Sequence, residues 1–274
     1  MQWRHGKIVW LVCAASLALW AAPASADRLD EIKARGKLIV GVSDTTPPFS
    51  FRRPGDKVVT GYDIDLVLLV AKRLGLAGVE TVSLISADRI PMLQSGQVDM
   101  VATSMTRTRA REREIDFSYI YFVTPHAVIV KKAGGLISVR QLAHHKVSSA
   151  RSSTAGEDLH EVVPEADVVY VDDYAKAFAA LKEDKVDAFT TDATVLRAIV
   201  RQDGVPDDYR FLPDFTKSRN VGFALKKDEP RLKDAINRAL LDIEKSGEAA
   251  HVFETWFGPG SAEPTTRAFK IEAD

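Results

Sequence analysis

The chain has 274 residues, of which 46% are hydrophobic, and its 37 basic residues nearly balance its 38 acidic ones. This balance gives no indication of nucleic-acid binding, which is typical of basic chains, and the length allows two lobes or one large domain. The single cysteine, Cys13, excludes a disulfide within the chain, so a hydrophobic core must stabilise the fold.

The first 26 residues have the pattern of a secretory signal peptide. A basic start, an apolar run and a small-residue cleavage signal follow one another as Arg4, His5 and Lys7, then Ile8–Ala22, then Ala24-Ser25-Ala26. The run of about 15 residues is shorter than the roughly 20 that cross a bilayer, which argues against a membrane anchor. A lipoprotein is the less favoured alternative, because Val12 precedes Cys13 where a lipoprotein signal needs a small residue.

Alternating helices and strands follow the leader. They are the helix 27–36, the strand 37–42, the helix 63–75, the strand 79–84 and the helix 88–94. Gly36 and Gly75 are natural helix stops, and Asp63 is a natural N-cap. The alternation is typical of a doubly wound α/β sheet.

Two side chains in this part are candidate ligand contacts. Phe49 lies in a proline-stiffened loop at a strand end, where a ring could stack on a ligand or simply pack. Arg89 begins a helix, where the helix N-terminus disfavours a positive charge. It therefore indicates a ligand or an acidic partner, unless it is only an exposed arginine that costs little.

The segment 103–118 combines hydroxyls with a cluster of arginines. Ser104 and Thr106 follow a predicted buried strand, 98–102, and precede a predicted charged helix that contains Arg111. The carboxyl ends of strands are where open α/β sheets bind ligands. An arginine fork can bind a carboxylate through two hydrogen bonds, and hydroxyls can bind the rest of a small zwitterion. On these residues alone, a solvated helix face is an equally open interpretation.

Two strands, 125–131 and one within 214–227, predict crossings that enclose a second group of strands and helices. Such a pair would form the hinge of a two-lobe protein. Thr154 follows a serine-rich turn, and Asp192 ends a strand, where it could cap the next helix or face the cleft as a carboxylate for an ammonium group. A long amphipathic helix from 229, a last helix and an extended tail complete the chain.

The motifs give catalysis no support. The sequence has no P-loop, no glycine-rich dinucleotide turn, no HExxH, no GxSxG and no cysteine and histidine set with metal spacing. We therefore expect neither a cofactor nor a metal.

Seven motifs occur in order between Leu29 and Gly258. They are GYDIDL, RIPMLQSGQVD, TSMTRTRARE, IDFSYIYF, the SST turn, VDAFTTD and KSGEAAHVFETWFG. Together they resemble the bacterial extracellular solute-binding protein family 3, the periplasmic receptors of polar amino acid ABC transporters. The resemblance implies an α/β fold of two lobes, the type II periplasmic binding protein, with a two-strand hinge.

By motif position, the resemblance implies a role for each of five residues. Arg111 would bind the α-carboxylate of the ligand, Ser104 and Thr106 its carboxylate and ammonium, Asp192 its ammonium, and Thr154 its carboxylate.

Four further positions bear on the ligand side chain. Ser86 and Arg89 fall where receptors for acidic amino acids place side-chain contacts, and Ser43 falls where receptors for basic amino acids place an aspartate. Thr46 stands where several members have a stacking tyrosine. These positions favour aspartate or glutamate, then glutamine or asparagine, then basic amino acids.

We therefore expect a monomeric periplasmic receptor that closes on one free amino acid and delivers it to an inner-membrane ABC permease. The predicted boundaries are 1–26 for the signal peptide, 27–128 and 221–258 for lobe 1, 129–220 for lobe 2 and 259–274 for the tail. A periplasmic enzyme on the same scaffold, similar to cyclohexadienyl dehydratase, is the alternative, because a fold does not fix a function. A sensor domain is disfavoured, since no signalling module follows the last helix.

Overall fold

The computed structural model describes residues 27–215, 217–262 and 264–273. The predicted signal peptide and Cys13 lie outside these residues. In the part of the chain that is described, no helix is long and apolar enough to cross a membrane.

The described chain alternates helices and strands. The helices are α1 (Arg28–Arg35), α2 (Tyr62–Arg73), α3 (Arg89–Gln94), α4 (Thr154–Val162), α5 (Tyr174–Lys182), α6 (Ala193–Gln202), α7 (Pro230–Lys245) and α8 (Glu248–Phe257). The strands are β1 (Lys37–Val42), β2 (Thr45–Thr46), β3 (Ser50–Phe51), β4 (Gly78–Ser83), β5 (Met100–Ala102), β6 (Ile115–Phe117), β7 (Phe122–Lys131), β8 (Lys146–Ala150), β9 (Asp167–Val171), β10 (Ala188–Asp192), β11 (Tyr209–Phe211), β12 (Ser218–Val221) and β13 (Ala224–Lys226).

Lobe 1 is built on a five-stranded sheet in the order β4-β1-β5-β13-β6. Strand β1 pairs in parallel with β4 and β5, and β13 runs antiparallel between β5 and β6. Helix α1 begins where the Asp27 side chain accepts from the Leu29 N–H, and it ends at Gly36 in a left-handed conformation, as the sequence predicts. Because β1 and β5 are parallel, their carboxyl ends lie at the same edge of the sheet.

Lobe 2 is built on a second sheet in the order β11-β7-β10-β8-β9. Strand β10 pairs in parallel with β8 and antiparallel with β7. Helices α4, α5 and α6 begin at or just after strand ends, so their first turns lie at one edge of this sheet.

Strands β7 and β12 connect the two lobes. The first residues of β7 pair antiparallel with β12, from Phe122 opposite Val221 to Pro125 opposite Ser218, and the rest of β7 pairs with β10 and β11. The chain thus crosses between the lobes twice, on adjacent antiparallel strands. This is the arrangement predicted for a two-strand hinge.

An aromatic cluster fills the core of lobe 1 near the hinge. The Phe49 ring is fully buried, and its centroid lies 4.9 Å from that of Phe122, 5.8 Å from that of Phe257 and 6.1 Å from that of Tyr62. Such edge-on contacts stabilise a core beyond the area they bury. The packing interpretation of Phe49 therefore agrees with the structure, and the ligand-stacking interpretation does not.

Two local predictions are wrong. The segment after Thr106 does not form the predicted charged helix; it contains one 3₁₀ turn, Arg111–Arg113, and then β6. Asp63 does not cap α2, which begins at Tyr62 after Gly61; instead its carboxylate accepts from the Ser104 N–H at 2.7 Å.

The tail contains no helix or strand in residues 264–273, but it packs against lobe 1. Ile271 is buried in the core, and its N–H donates to Glu244 Oε2 at 3.1 Å. Arg267 forms an ion pair with Glu244, and the Phe269 ring contacts those of Phe122 and Phe253. The tail is extended, as predicted, and is also part of the fold.

Candidate functional site

A small polar pocket lies between the two lobes. About 220 Å³ of space lies between its lining atoms. Lobe 1 contributes Arg89, Ser104, Thr106 and Arg111, the connecting strand β7 contributes His126, and lobe 2 contributes Ser153, Thr154, Tyr174 and Asp192. Six of the nine residues that the sequence singled out are therefore together in one pocket.

Ser104 and Thr106 follow the carboxyl end of β5. Ser104 has a φ of 51°, in the left-handed region, and its N–H is held by the buried Asp63 carboxylate. The Ser104 Oγ is buried and has no hydrogen-bond partner in the described chain. A buried hydroxyl without a hydrogen-bond partner costs free energy, so the Ser104 hydroxyl can bind a polar atom of a ligand.

Arg111 reaches from lobe 1 across the pocket. Its guanidinium donates to the Thr106 carbonyl at 2.7 Å and to the Ser152 carbonyl of lobe 2, also at 2.7 Å. Although the side chain is partly exposed, desolvation of its guanidinium, together with the like charge of Arg89, lowers the pKa of Arg111 to about 10. The residue therefore stays charged at neutral pH and can bind an anion.

Arg89 is a second positive charge in the pocket. It begins α3, is only 4% exposed, and its Nε has no hydrogen-bond partner among the described residues. Burying a charged donor without a partner is unfavourable. Arg89 therefore occupies the electrostatically unfavourable position that the sequence indicated, and its side chain lines the pocket.

Asp192 is the carboxylate of the pocket. It ends β10 and precedes α6, but its side chain makes no capping hydrogen bond. The side chain is buried, and its Oδ1 has no hydrogen-bond partner in the described chain. Burial raises the pKa of Asp192, while the neighbouring basic side chains of His126, Arg89 and Arg111 oppose that rise. Of the two roles that the sequence left open, the structure supports the one that faces the cleft.

Thr154 is the first residue of α4, whose N-cap is Ser153. The Ser153 hydroxyl accepts from the Ala155 N–H at 3.3 Å. The helix N-terminus thus points its partial positive charge at the pocket, opposite Arg111. Ser152 precedes the N-cap with a φ of 62°, a left-handed conformation that glycine adopts more easily than serine.

The model of the bacterial extracellular solute-binding proteins, family 3, matches residues 38–259. The chain belongs to this family. The ABC transporter glutamine-binding protein GlnH of Bacillus subtilis (strain 168) is 32% identical over 242 residues, which cover 86% of this chain and 87% of that protein. The glutamate/aspartate import solute-binding protein of Escherichia coli (strain K12) is 28% identical over 247 residues, 86% of this chain and 82% of that protein.

A similar solved structure is that of the ancestral amino acid-binding protein AncCDT-1, described as a precursor of cyclohexadienyl dehydratase. It is 33% identical, with a TM-score of 0.73, over 82% of this chain and 97% of that one. These comparisons confirm the predicted family and its two-lobe α/β fold. They also show that similar chains bind different amino acids, so family membership leaves the ligand of this member open.

Three residues that the sequence singled out do not line the pocket. Ser86 is buried in the 3₁₀ turn before α3, and Phe49 is part of the aromatic cluster. The Ser43 Oγ accepts from the Thr46 hydroxyl at 2.8 Å and from the Thr45 N–H at 3.2 Å, so it holds the loop after β1. Thr46 itself is buried.

Sequence reasoning gave no ligand role to the pocket residues His126 and Tyr174, nor to Asp63, whose carboxylate accepts from the Ser104 N–H. Asp63 is fully buried, and burial raises its pKa to about 7 against the hydrogen bond from the Ser104 N–H. The buried Tyr121 hydroxyl also stabilises this carboxylate electrostatically, although the two groups do not meet hydrogen-bond geometry here. The only signal in the sequence was an aspartate among apolar residues at the start of a helix.

A larger groove lies elsewhere on the surface, between the loop 47–54 and helices α6 and α8. It encloses about 1,240 Å³ and is lined largely by apolar groups such as Pro47, Phe51 and Trp256. It contains none of the predicted ligand residues, and its lining gives no pair of buried opposite charges. The small pocket between the lobes is therefore the candidate site.

Proposed function

We propose that this protein is the extracytoplasmic receptor of an ABC importer and binds one free polar amino acid between its two lobes. One observation supports this proposal above the others. Arg111 from lobe 1 and Asp192 from lobe 2, which have opposite charges, face one small pocket together. A zwitterion with a carboxylate and an ammonium group close together complements such a pair.

The amino and carboxyl groups of the ligand have clear partners. Arg111, Thr106 and the first turn of α4 at Thr154 would bind the α-carboxylate, and Asp192 would bind the α-ammonium. Ser104 supplies a hydroxyl that has no partner in the described chain. These groups come from both lobes, so the ligand stabilises the closed arrangement.

The charge that remains in the pocket favours an acidic side chain. Once a zwitterion has neutralised Arg111 and Asp192, the guanidinium of Arg89 is left as a buried positive charge. A carboxylate would satisfy it best, and an amide oxygen would satisfy it in part. We therefore place aspartate or glutamate first, glutamine or asparagine second and basic amino acids third.

Closure follows from the hinge. A ligand that contacts both lobes binds the closed state more tightly and shifts the population toward it. The inner-membrane permease would recognise that closed state. We propose the periplasm as its compartment and a monomeric state. We also propose lobe boundaries near 128 and 221, which lie close to the residues where β7 and β12 pair, 122–125 and 218–221.

A panel of the twenty amino acids tests this proposal. Thermal-shift measurements on the mature chain should show the largest stabilisation with glutamate or aspartate. Calorimetry on Arg89→Met should then show a loss of glutamate binding while glutamine binding is largely kept. A larger shift with arginine or lysine than with glutamate would overturn the acidic assignment.

An enzyme is the second candidate, and one observation favours it: the structure contains a buried acid, Asp63, whose pKa is raised to about 7. A poised acid is what proton transfer needs, and the AncCDT-1 protein is described as a precursor of a dehydratase. Asp63 does not line the pocket, however, so we favour binding. Turnover of a prephenate-like substrate by the mature protein would decide for the enzyme.

A further inference from the structure

His126 is a buried pocket residue to which the proposed function gives no role. It is 2% exposed and lies on β7 directly opposite Asp192 of β10 in the antiparallel pair. Its Nε2 lies 3.7 Å from Asp192 Oδ1, which is longer than a hydrogen bond. That same Oδ1 has no hydrogen-bond partner in the described chain, so the two atoms face each other without a donor between them.

The other ring nitrogen of His126 faces a carboxylate. Its Nδ1 lies 2.7 Å from Asp158 Oδ2, and Asp158 also accepts from Arg219 Nε at 2.7 Å and pairs with Lys217 Nζ at 3.1 Å. Burial raises the pKa of Asp158, but the hydrogen bonds from His126, Arg219 and Lys217 outweigh it and hold that pKa well below its usual range.

An ionised carboxylate can only accept hydrogen bonds, so the proton of a neutral His126 is on Nδ1. Its Nε2 is then a lone-pair acceptor that faces the pocket. Thr154 Oγ1, 3.5 Å from Nε2, is at the limit of hydrogen-bond distance and does not occupy this acceptor firmly.

We propose that His126 Nε2 and Asp192 Oδ1 share the α-ammonium group of the ligand. Two acceptors 3.7 Å apart can each lie about 2.8 Å from one nitrogen, and an ammonium group has three N–H donors to distribute. The ligand thus supplies the donor that both atoms lack. This inference rests on the proposed function and adds a residue to its ammonium site.

Charged groups lie on both sides of His126. Asp158 of α4 lies on one side of the ring and Asp192 of β10 on the other, while Arg219 and Lys217 beside β12 bind Asp158 and not the ring. Arg89 and Arg111 lie across the pocket in lobe 1, and their positive charges oppose the rise in the pKa of Asp192. The ring is therefore held by one carboxylate and presents its free nitrogen beside the other.

The variant His126→Asn tests the proposal sharply. An asparagine amide can still donate to Asp158, but it has no acceptor at the position of Nε2. The matched control is Lys217→Met, which removes one partner of Asp158 outside the pocket. The probes are L-glutamate and L-glutamine and their desamino analogues, glutarate and glutaramate, measured by calorimetry.

We expect His126→Asn to weaken each amino acid by about 10- to 100-fold more than its desamino analogue, since only the amino acid has the ammonium group. Lys217→Met should leave the ratio unchanged. In the wild-type protein, ¹⁵N NMR should show the Nε2 resonance of His126 shifting with L-glutamate but not with glutarate, which tests the contact without any substitution.

Equal losses for amino acids and desamino analogues, or an Nε2 resonance that does not respond, would overturn the shared ammonium site while leaving the receptor function standing. Failure of the wild-type protein to bind any of the twenty amino acids would overturn the proposed function and this inference together.

Discussion

Arg111 is the side chain with the most demanding position in the proposed site, because it is desolvated and touches both lobes. We predict that Arg111→Ala abolishes amino acid binding. Leaving a ligand carboxylate buried without its partner costs roughly 2–5 kcal/mol, or about 30-fold to several thousand-fold in affinity. Ligand-induced thermal stabilisation measures the loss.

Arg113→Ala is the matched control, since Arg113 is exposed beyond the pocket in the same 3₁₀ turn. It should bind nearly as the wild type does. Similar losses from both variants would mean that this segment is a structural charge cluster.

Asp192 has the complementary role at the other end of the zwitterion. We predict that Asp192→Asn weakens amino acids by at least about tenfold more than their desamino analogues, because a charge-assisted hydrogen bond is lost only with the former. Calorimetry on matched ligand pairs measures it. The same loss for both members of a pair would show that Asp192 shapes the start of α6 and does not contact the ligand.

Asp63 gives the stability of the fold a distinct pH dependence. Because burial raises its pKa from 3.8 to about 7, the folded state keeps a proton that the unfolded chain has already released. The stabilisation is complete below pH 4 and is lost as the pH rises through about 7. Since each unit of difference between the folded and unfolded pKa corresponds to about 1.4 kcal/mol, the free energy of unfolding changes by a few kcal/mol over this pH range.

We predict that Asp63→Asn removes this dependence, so its melting temperature should rise relative to that of the wild type as the pH goes from 4 to 8. The amide oxygen can still accept from the Ser104 N–H. Comparing the two proteins cancels the titration of other carboxyl groups. Parallel melting curves across this range would contradict the prediction.

At the scale of the elements, hydrophobic periodicity predicted the positions of several helices and strands, and motif position predicted most of the pocket residues. Strands β1 and β4 and helices α1, α2 and α3 were located to within a few residues, and Arg111, Asp192 and Thr154, singled out by motif position, lie in one pocket. The lobe boundaries stay a prediction.

The charged helix failed because tertiary contacts compete for its backbone. The Arg107 N–H donates to the Asn220 carbonyl at 2.8 Å, and Thr106 forms a bridge with Val221, so the segment is tied to β12. His126 and Asp158 escaped notice for a related reason. They are 32 positions apart, and the fold brings them together because α4 packs on β8 and on β10, the neighbour of β7.

The tail is the element whose contribution the sequence underestimated. We predict that Ile271→Ala lowers the free energy of unfolding by about 2 kcal/mol or more, since it removes a core side chain and leaves a cavity. Urea denaturation measures the change, and exposed Lys270→Ala should alter it by less than about 0.5 kcal/mol. Equal effects from both would show that the tail does not dock in solution.

At the scale of the whole molecule, the proposed function requires that the lobes move. We predict that small-angle X-ray scattering of the mature protein shows a smaller radius of gyration with L-glutamate than without it, because the ligand favours the closed state. Arg111→Ala should keep the larger radius at the same glutamate concentration. A radius that does not change when calorimetry shows binding would rule out closure about β7 and β12.

The interior position of β13 has a consequence for how the protein is made. This strand, residues 224–226, lies between β5 and β6, so the sheet of lobe 1 cannot be completed until most of the chain has been synthesised. The sheet of lobe 2 uses only strands between 122 and 221. A chain that emerges from a membrane with its amino terminus first would therefore release all of lobe 2 before lobe 1 could close its sheet. Until then, the strands of lobe 1 that are synthesised first, β1, β4, β5 and β6, would have exposed edges. A chaperone outside the membrane would be needed most at these edges.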